Sequence, residues 1–204
     1  MRPGPPVLNG SVNPRKEFAR PFPQSWYDRP TERVARDLLG QYLVHRTADG
    51  FRLARVVETE AYVAGDLANH ACLGPTVRNR SMFGPPGTLY VYRIHQVHLA
   101  NAVTRPGEAV LVRAAEPGPG AAGNTRGPGR LCRVLQIGIE RNGTSLVDGP
   151  VRVSSGPAFR ERIRRGVRVG IRHDATRLLR FAIDGNPWVS RPVRAHPGAV
   201  PTLL

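Results

Sequence analysis

The fold is decided by one stretch in the first third of the chain, QYLVHRTADGFRLARVVETE at residues 41–60. Both ends of it are rich in apolar and β-branched residues, and Asp49-Gly50 lies between them. An Asp-Gly pair between two such runs is typical of a β-hairpin. The stretch therefore predicts antiparallel strands over residues 41–45 and 51–60, with Glu58 and Glu60 near the end of the second strand.

Shorter elements surround this hairpin. Before it, Pro30 and Gly40 bound an amphipathic stretch that has the start and stop signals of a helix. After it, strands are predicted over residues 88–92, 97–103, 109–115, 151–154, 167–172 and 178–183, and a helix over residues 130–139. Gly and Pro are dense over residues 64–87 and 117–129, which predicts long surface loops. We expect a single compact α+β domain around a curved antiparallel or mixed β-sheet with short helices.

The length of 204 residues suits one catalytic domain, which we place at residues 25–204, after a mobile basic N-terminal arm over residues 1–24. The arm holds several prolines and no apolar run, so we expect no targeting or membrane segment and a cytoplasmic, nucleoid-associated protein. Cys72 and Cys132 lack metal-ligand spacing. We therefore expect no metal, no cofactor and no disulfide framework.

Thirty basic residues against fifteen acidic ones give a formal net charge of +15. A field of this sign attracts polyanions, which makes nucleic acid the leading partner. Lys16 is the only lysine. Arginine suits bidentate contacts to phosphate, although a GC-rich genome would produce the same bias.

One face of the second predicted strand carries both acids and a ring. Residues two apart in a strand share a face, so Glu58, Glu60 and Tyr62 point the same way. A solvated strand face is the ordinary interpretation of two such glutamates. The apolar Val56 and Val57 beside them favour burial instead, and a buried carboxyl group has a raised proton affinity and can act as a base.

Further aromatic and basic residues follow the hairpin. His70 lies in the Gly/Pro-rich loop, and Tyr90 and Tyr92 alternate as strand residues do. Such rings are usually structural, but together with Tyr62 they could sandwich a planar ligand. Arg78 and Arg80 form either a solvated loop or phosphate contacts beside such a pocket.

Several ordered motifs resemble the alkyladenine, or 3-methyladenine, DNA glycosylase family of base-excision repair, from about Pro30 to Ser190. They are VETEAY at residues 57–62, His70, RNRSMF at 78–83, PGTLYVY at 86–92, LVRA at 111–114, GPGRLC at 127–132 and RVGI at 168–171.

The resemblance implies a monomeric DNA repair enzyme that flips an alkylated or deaminated purine out of double-stranded DNA and hydrolyses its N-glycosidic bond by direct attack of water. Glu60 is implied as the general base, with Arg113 and the backbone carbonyl of Val169 holding the water. The implied base pocket consists of Tyr62 and His70 on the two faces of the base, Tyr92, Asn101 and Leu111. The implied DNA contacts are Arg78, Asn79, Arg80, His95, Gln96, Gly129 and Arg130.

Two positions depart from the family pattern. Well-known members have a tyrosine wedge after the Tyr-Val-Tyr strand, where this chain has Arg93-Ile94-His95-Gln96. His95 takes the wedge position, and its smaller, polar, titratable ring predicts weaker DNA binding. The segment after it is one residue short, which makes Asn101 the equivalent of an asparagine that opposes guanine's amino group.

The residues also leave other functions open. A non-catalytic nucleic-acid binder accounts for the charge, but it gives no reason for an acid in a basic, aromatic face. A glycosidase acting on sugars accounts for Glu58 and Glu60, which lie roughly 6.5 Å apart by strand rise, but not for the charge of +15. The helix-hairpin-helix glycosylases are a further alternative, but this chain has no Gly-rich hairpin followed by a suitably placed Asp. Because Schiff-base chemistry needs an amine and Lys16 lies in the predicted arm, we expect a monofunctional enzyme.

Overall fold

A computed structural model describes residues 12–193, in which eight antiparallel strands form one curled sheet. The strands are β1 (Tyr42–Thr47), β2 (Gly50–Tyr62), β3 (Leu89–Ile94), β4 (Val97–Arg105), β5 (Glu108–Pro117), β6 (Val151–Ser154), β7 (Ile163–Gly166) and β8 (Arg180–Ile183). The helices are α1 (Pro14–Phe18), α2 (Gln24–Tyr27), α3 (Thr31–Asp37) and α4 (Pro128–Leu135), with short 3-10 helices at Arg80–Phe83 and Ile139–Arg141. The predicted α+β class is confirmed, and all the strand pairs described are antiparallel.

The long strand β2 organises the sheet. The strand order is β3-β4-β5-β2-β1-β6, and β8 also pairs with β2, beyond the end of β1. The β1–β2 hairpin predicted from Asp49-Gly50 is present, with Thr47 opposite Gly50. Because β2 pairs with three strands, its last residues are enclosed on both edges, and this enclosure buries Glu58 and Glu60 completely.

Helices α3 and α4 cover one face of the sheet. Val34, Ala35 and Leu131 belong to the same apolar cluster as the sheet residues Val110 and Val112. α3 confirms the helix predicted between Pro30 and Gly40, and the φ of +82° at Gly40 provides the left-handed residue at which helices commonly end. The opposite face of the sheet carries the candidate site.

The prediction of a strand over residues 167–172 is wrong. The strand in this region is β7, and residues 167–172 form an irregular segment. Arg168 turns into the interior to bind Asp66, the Val169 amide turns toward Glu60, and Gly170 has a φ of +76°. These contacts and this left-handed residue are incompatible with a ladder.

The described part of the predicted N-terminal arm packs on the sheet. Residues 1–11 lie outside the described residues. Asn13 caps α1 by accepting hydrogen bonds from the Arg15 and Lys16 amides, and Phe18 is buried against Phe51, with ring centroids 5.2 Å apart. Phe18 therefore holds α1 against the sheet.

None of the helices within residues 12–193 is long and apolar enough to cross a membrane; α4, the longest of them, has eight residues.

Candidate active site

The face of the sheet opposite the helices brings predicted pocket residues into one row. Directly opposed residues share a face, and the register opposes Glu60 to Leu111, Leu111 to Asn101, and Asn101 to Tyr90. The neighbouring row opposes Tyr62 to Ala109. Four neighbouring strands thus carry the site, with Glu60 on β2 at one end of the row.

Glu60 is fully buried and receives three hydrogen bonds. The Val169 N–H donates to its Oε1 at 2.7 Å, and the Tyr62 hydroxyl and the Arg113 Nη1 donate to its Oε2 at 3.0 and 3.2 Å. Burial raises the pKa of the Glu60 carboxyl above its ordinary value, and Arg113, the Val169 N–H and the Tyr62 hydroxyl oppose this only in part. A carboxylate with a raised pKa is a stronger base than a solvated one.

Arg113 links Glu60 to Glu58. Its Nε donates to the Glu58 Oε1 at 3.2 Å while its Nη1 reaches Glu60, so both glutamates face the same side of β2. The register passes from Glu58 opposite Ala114 to Thr59 opposite Val112, which leaves Arg113 as an extra residue in β5. Such bulges redirect side chains beside active sites.

The rings of His70, Tyr90 and Tyr92 form a cluster, and Tyr92 lies near the Glu60 carboxylate. The His70 and Tyr92 rings meet edge to face with centroids 4.4 Å apart, and the His70 Nδ1 lies 3.1 Å from the Tyr90 hydroxyl oxygen. Tyr62 packs against the same apolar cluster as Tyr92. Burial lowers the pKa of His70, so the ring is neutral at neutral pH. The predicted stacking residues are thus close together, and the Tyr90 hydroxyl supports His70.

Leu111 and Asn101 are the two middle residues of the row that runs from Glu60 to Tyr90, and both are buried. Leu111 is 1% exposed and Asn101 is 3% exposed. The Asn101 Nδ2 donates to the Tyr90 carbonyl oxygen at 3.0 Å, which fixes the amide against β3. The register therefore places Asn101 opposite Leu111, which is itself opposite Glu60, despite the shortened segment before Asn101.

The loop before β3 exposes Arg78 and Arg80 but buries Asn79. The Asn79 Nδ2 donates to the His70 and Gly74 carbonyl oxygens at 2.8 and 3.0 Å, and its Oδ1 accepts from the Thr76 amide and hydroxyl. Asn79 was predicted to contact DNA. Its amide is instead occupied within the loop, where it holds the backbone at His70.

The predicted wedge lies at the tip of the β3–β4 hairpin. His95 and Gln96 are exposed and form the two-residue turn, with φ values of +43° and +68°. Two consecutive left-handed residues are the geometry of a type I′ hairpin turn, which usually contains Asn or Gly. The strained turn projects His95 outward.

A second predicted DNA contact lies beside this hairpin. Gly129 is in the first turn of α4, where a Cβ would come within 2.8 Å of the Val97 Cβ. Gln96 and Gly129 border the same cavity of about 260 Å³, and Arg130 is exposed next to them. Because they border one cavity, the hairpin tip and the start of α4 form one continuous surface. The first amides of a helix lack intrahelical acceptors and can bind a phosphate there.

The sequence did not reveal the buried side chains that support the site from distant segments, namely Asp66, Arg168 and Arg180. The Arg168 guanidinium carbon lies 4.7 Å from the Tyr62 ring centroid. Cys72 and Cys132 are free thiols, and within residues 12–193 no three His, Cys, Asp or Glu side chains are grouped as metal ligands.

A sequence model of the methylpurine-DNA glycosylase family matches residues 25–187. The chain belongs to this family. It is a DNA glycosylase, a hydrolytic enzyme that acts on alkylated bases in DNA, as the motif resemblance implied.

Relatives in other organisms agree with this assignment. An Anaeromyxobacter dehalogenans (strain 2CP-1) protein is 48% identical over 87% of this chain and 88% of its own length. A Methanoculleus marisnigri protein is 46% identical over 83% of this chain and 98% of its own length. A Legionella pneumophila (strain Lens) protein is 38% identical over 84% of this chain and 99% of its own length. All three carry the provisional name 3-methyladenine DNA glycosylase.

Proposed function

We propose that this glycosylase flips an alkylated or deaminated purine out of duplex DNA and hydrolyses its N-glycosidic bond with a water molecule that Glu60 activates. The observation that supports this most directly is the Glu60 site: a fully buried carboxylate, with a raised pKa, between Tyr62 and the Val169 amide. The relatives' names make 3-methyladenine the first lesion to test.

The bond changes follow from the chemistry of the base. Water bonds to the sugar C1′ and loses a proton to the Glu60 carboxylate, while the electrons of the C1′–N bond move onto the purine. A purine alkylated at a ring nitrogen such as N3 is cationic and leaves as a neutral molecule, so it needs no proton from an acid, and one well-placed carboxylate suffices. A deaminated purine is neutral, so it leaves as an anion and takes up a proton from solvent. The products are the free base and an abasic site. Val169 contacts Glu60 through its N–H, so this segment orients the base catalyst as well as supplying the implied carbonyl.

The neutral rings suit a cationic purine. We assign Tyr62 and His70 to its two faces and Tyr92 to the edge of the stack, above Asn101 and Leu111. The lowered pKa of His70 keeps that ring uncharged, so it does not repel a positive base, and the π faces of the tyrosines attract it. Damaged bases also cost less to unstack than intact ones.

We propose that the strands of the duplex are held by Arg78 and Arg80 on one side and by the α4 start at Gly129 and Arg130 on the other. The exposure of these arginines and the formal charge of +15 support binding to phosphates. We further propose that the enzyme acts as a monomer on chromosomal DNA.

Base release from defined duplexes tests this proposal. Duplexes that contain 3-methyladenine, hypoxanthine or ethenoadenine are incubated with the protein, and free base and strand integrity are both scored. We expect release of at least one damaged base and an abasic strand that breaks only after alkali. The reason is that Lys16, the only lysine, lies in α1, which packs against Phe51 at the start of β2, whereas Glu60 lies near the end of that strand. An undamaged duplex is the control. Absence of release from every lesion contradicts the proposed reaction, and strand breakage without alkali contradicts a monofunctional enzyme.

The wedge assignment predicts a gain of affinity from His95→Tyr. A larger apolar ring fills the gap left by a flipped base better than imidazole, so binding to a lesion duplex should tighten about 2- to 10-fold. Titration at constant salt measures the effect, with His173→Tyr, another exposed histidine, as the control. Unchanged affinity in His95→Tyr removes His95 from the wedge role.

A further inference from the structure

The second carboxylate of the site, Glu58, is fully buried and has four donors around it. Its Oε1 accepts from the Arg113 Nε at 3.2 Å, the Arg180 Nε at 2.7 Å and the Ser190 hydroxyl at 2.9 Å. Its Oε2 accepts from the Ser190 amide at 2.6 Å. Because these donors surround a side chain with no exposed surface, a water molecule has no place beside Glu58, and Glu58 does not share the role of base.

The geometry of Arg113 shows what Glu58 does instead. A guanidinium group is planar and rigid, so fixing its Nε edge fixes the direction of its Nη1. Glu58 holds the Nε edge, and the Nη1 meets Glu60. Glu58 is itself held by Arg180 from β8 and by Ser190. Because Glu58 is fixed in this way, it fixes the position of Arg113.

We propose that Glu58 is a positioning residue for base release, which holds Arg113 against the Glu60 carboxylate and balances the charge of the buried cluster. This inference rests on the proposed function of Glu60 as the base. It concerns a glutamate that never touches the substrate and acts through Arg113.

The charges around Glu60 predict the direction in which the pKa of Glu60 changes when Glu58 is replaced. Glu58 and Glu60 carry two negative charges against two positive charges on Arg113 and Arg180, so the buried quartet is neutral. The titratable and charged groups around Glu60 are Glu58 and Tyr62 on β2, Arg113 on β5, Arg180 on β8, Tyr92 on β3 and Arg168 on the segment after β7. Glu58 is one of the causes that raise the pKa of Glu60. Removing its charge leaves a surplus of positive charge and makes Glu60 a weaker base.

Two substitutions with opposite expected effects test the role. Single-turnover base release from a lesion duplex is measured against pH for Glu58→Gln and Arg180→Gln. Glu58→Gln should slow release at neutral pH about 10- to 100-fold, because Arg113 loses its anchor, and should move the acid limb of the profile to lower pH. Arg180→Gln should move the acid limb to higher pH. A purely structural role predicts loss of thermal stability in both variants without opposite shifts.

The double variant Glu58→Gln/Arg180→Gln removes one charge of each sign. Its acid limb should return to that of the parent while its rate stays low, because Arg113 still lacks its anchor. This variant also replaces the single one if Glu58→Gln does not fold. Glu116→Gln is the matched control, because it removes the acid of another ion pair of the sheet, on β5 next to β2, where Glu116 lies 3.5 Å from Arg55. Its rate and profile should match the parent.

A direct titration separates this inference from the proposed function. Carbon-13 NMR of the glutamate carboxyls, with Glu60 assigned through Glu60→Gln, reports the Glu60 midpoint without any substrate. If the parent releases no base, the proposed function fails, but the midpoints still test the charge balance. Parent-like rates together with an unchanged Glu60 midpoint in Glu58→Gln, or a parent-like rate in the double variant, overturn the positioning role.

Discussion

Replacing Glu60 with glutamine is expected to slow base release about 10²- to 10⁴-fold, the contribution usual for a general base, while lesion-DNA affinity stays close to that of the parent. Glutamine has nearly the same shape but cannot accept the proton that water must lose. The pocket rings and the exposed arginines remain in place, so the binding contacts survive. Rate and affinity are measured separately, by single-turnover base release and by equilibrium titration.

The pH profile of the parent adds a second signature to the Glu60 experiment. Only the ionised carboxyl accepts a proton, so release should rise as pH increases through the Glu60 pKa, which burial has raised above the ordinary glutamate value. The glutamine variant should lack this limb. Any remaining slow release then reports the contribution of stacking and of the other polar groups.

The matched control for Glu60→Gln is Glu32→Gln. It changes the net charge by the same amount, but Glu32 lies on the surface, paired with Arg165, and both side chains are 44% exposed. The control should release base at the parent's rate. If Glu60→Gln also released base at that rate, Glu60 would not be the base and the proposed mechanism would be wrong.

The local pattern predicted the parts of the fold that depend on neighbours in sequence. The Asp-Gly hairpin, the α3 helix and the shared face of Glu58 and Glu60 each follow from turn chemistry or from the period of two in a strand. α1 could have been found as well, because Asn13 and Pro14 are a helix cap followed by the proline typical of a first turn.

Contacts between distant segments were not predictable in this way. Arg168 and Asp66 are 102 positions apart, and Ser190 and Glu58 are 132 apart. Neither pair has a local signal, so the sequence around Arg168 predicts a strand and gives no sign of the contact with Asp66. Asn79 is a further example, since a polar residue between two arginines suggests a surface contact, whereas the hydrogen bonds of its side-chain amide within the loop have no local signal. The role of Arg113 came only from family resemblance.

The largest stability effect should come from Asp66→Asn. Asp66 and Arg168 form a bidentate ion pair in which neither side chain is exposed, and the Arg168 Nη1 also donates to the Ala61 carbonyl oxygen at 3.1 Å. Removing one partner leaves an uncompensated buried charge, which typically costs about 3–5 kcal/mol. Urea denaturation at neutral pH should show this loss. The double variant Asp66→Asn/Arg168→Met should recover part of it, because it removes the stranded cation.

The surface pair of Asp184 and Arg164 provides the control for the Asp66 experiment. It has the same two-pronged geometry, with both contacts at 2.8 Å, but it is partly exposed. Exposed pairs contribute little, so Asp184→Asn should lose much less stability than Asp66→Asn. Equal losses in the two variants would show that burial does not govern the energy of the Asp66 pair.

The pH dependence of the Asp66 effect has a definite sign. Burial alone raises the pKa of Asp66, but the Arg168 hydrogen bonds, the Ala68 N–H and the Arg168 charge together hold it below its ordinary value. A carboxyl group with a lowered pKa stabilises the fold above its unfolded pKa of about 3.9, and this contribution disappears as pH falls through the folded value. The stability gap between parent and Asp66→Asn should therefore be full at neutral pH and shrink toward acid. Since Arg168 stacks on Tyr62 and precedes the Val169 amide that binds Glu60, the folded fraction of this variant should also release base more slowly.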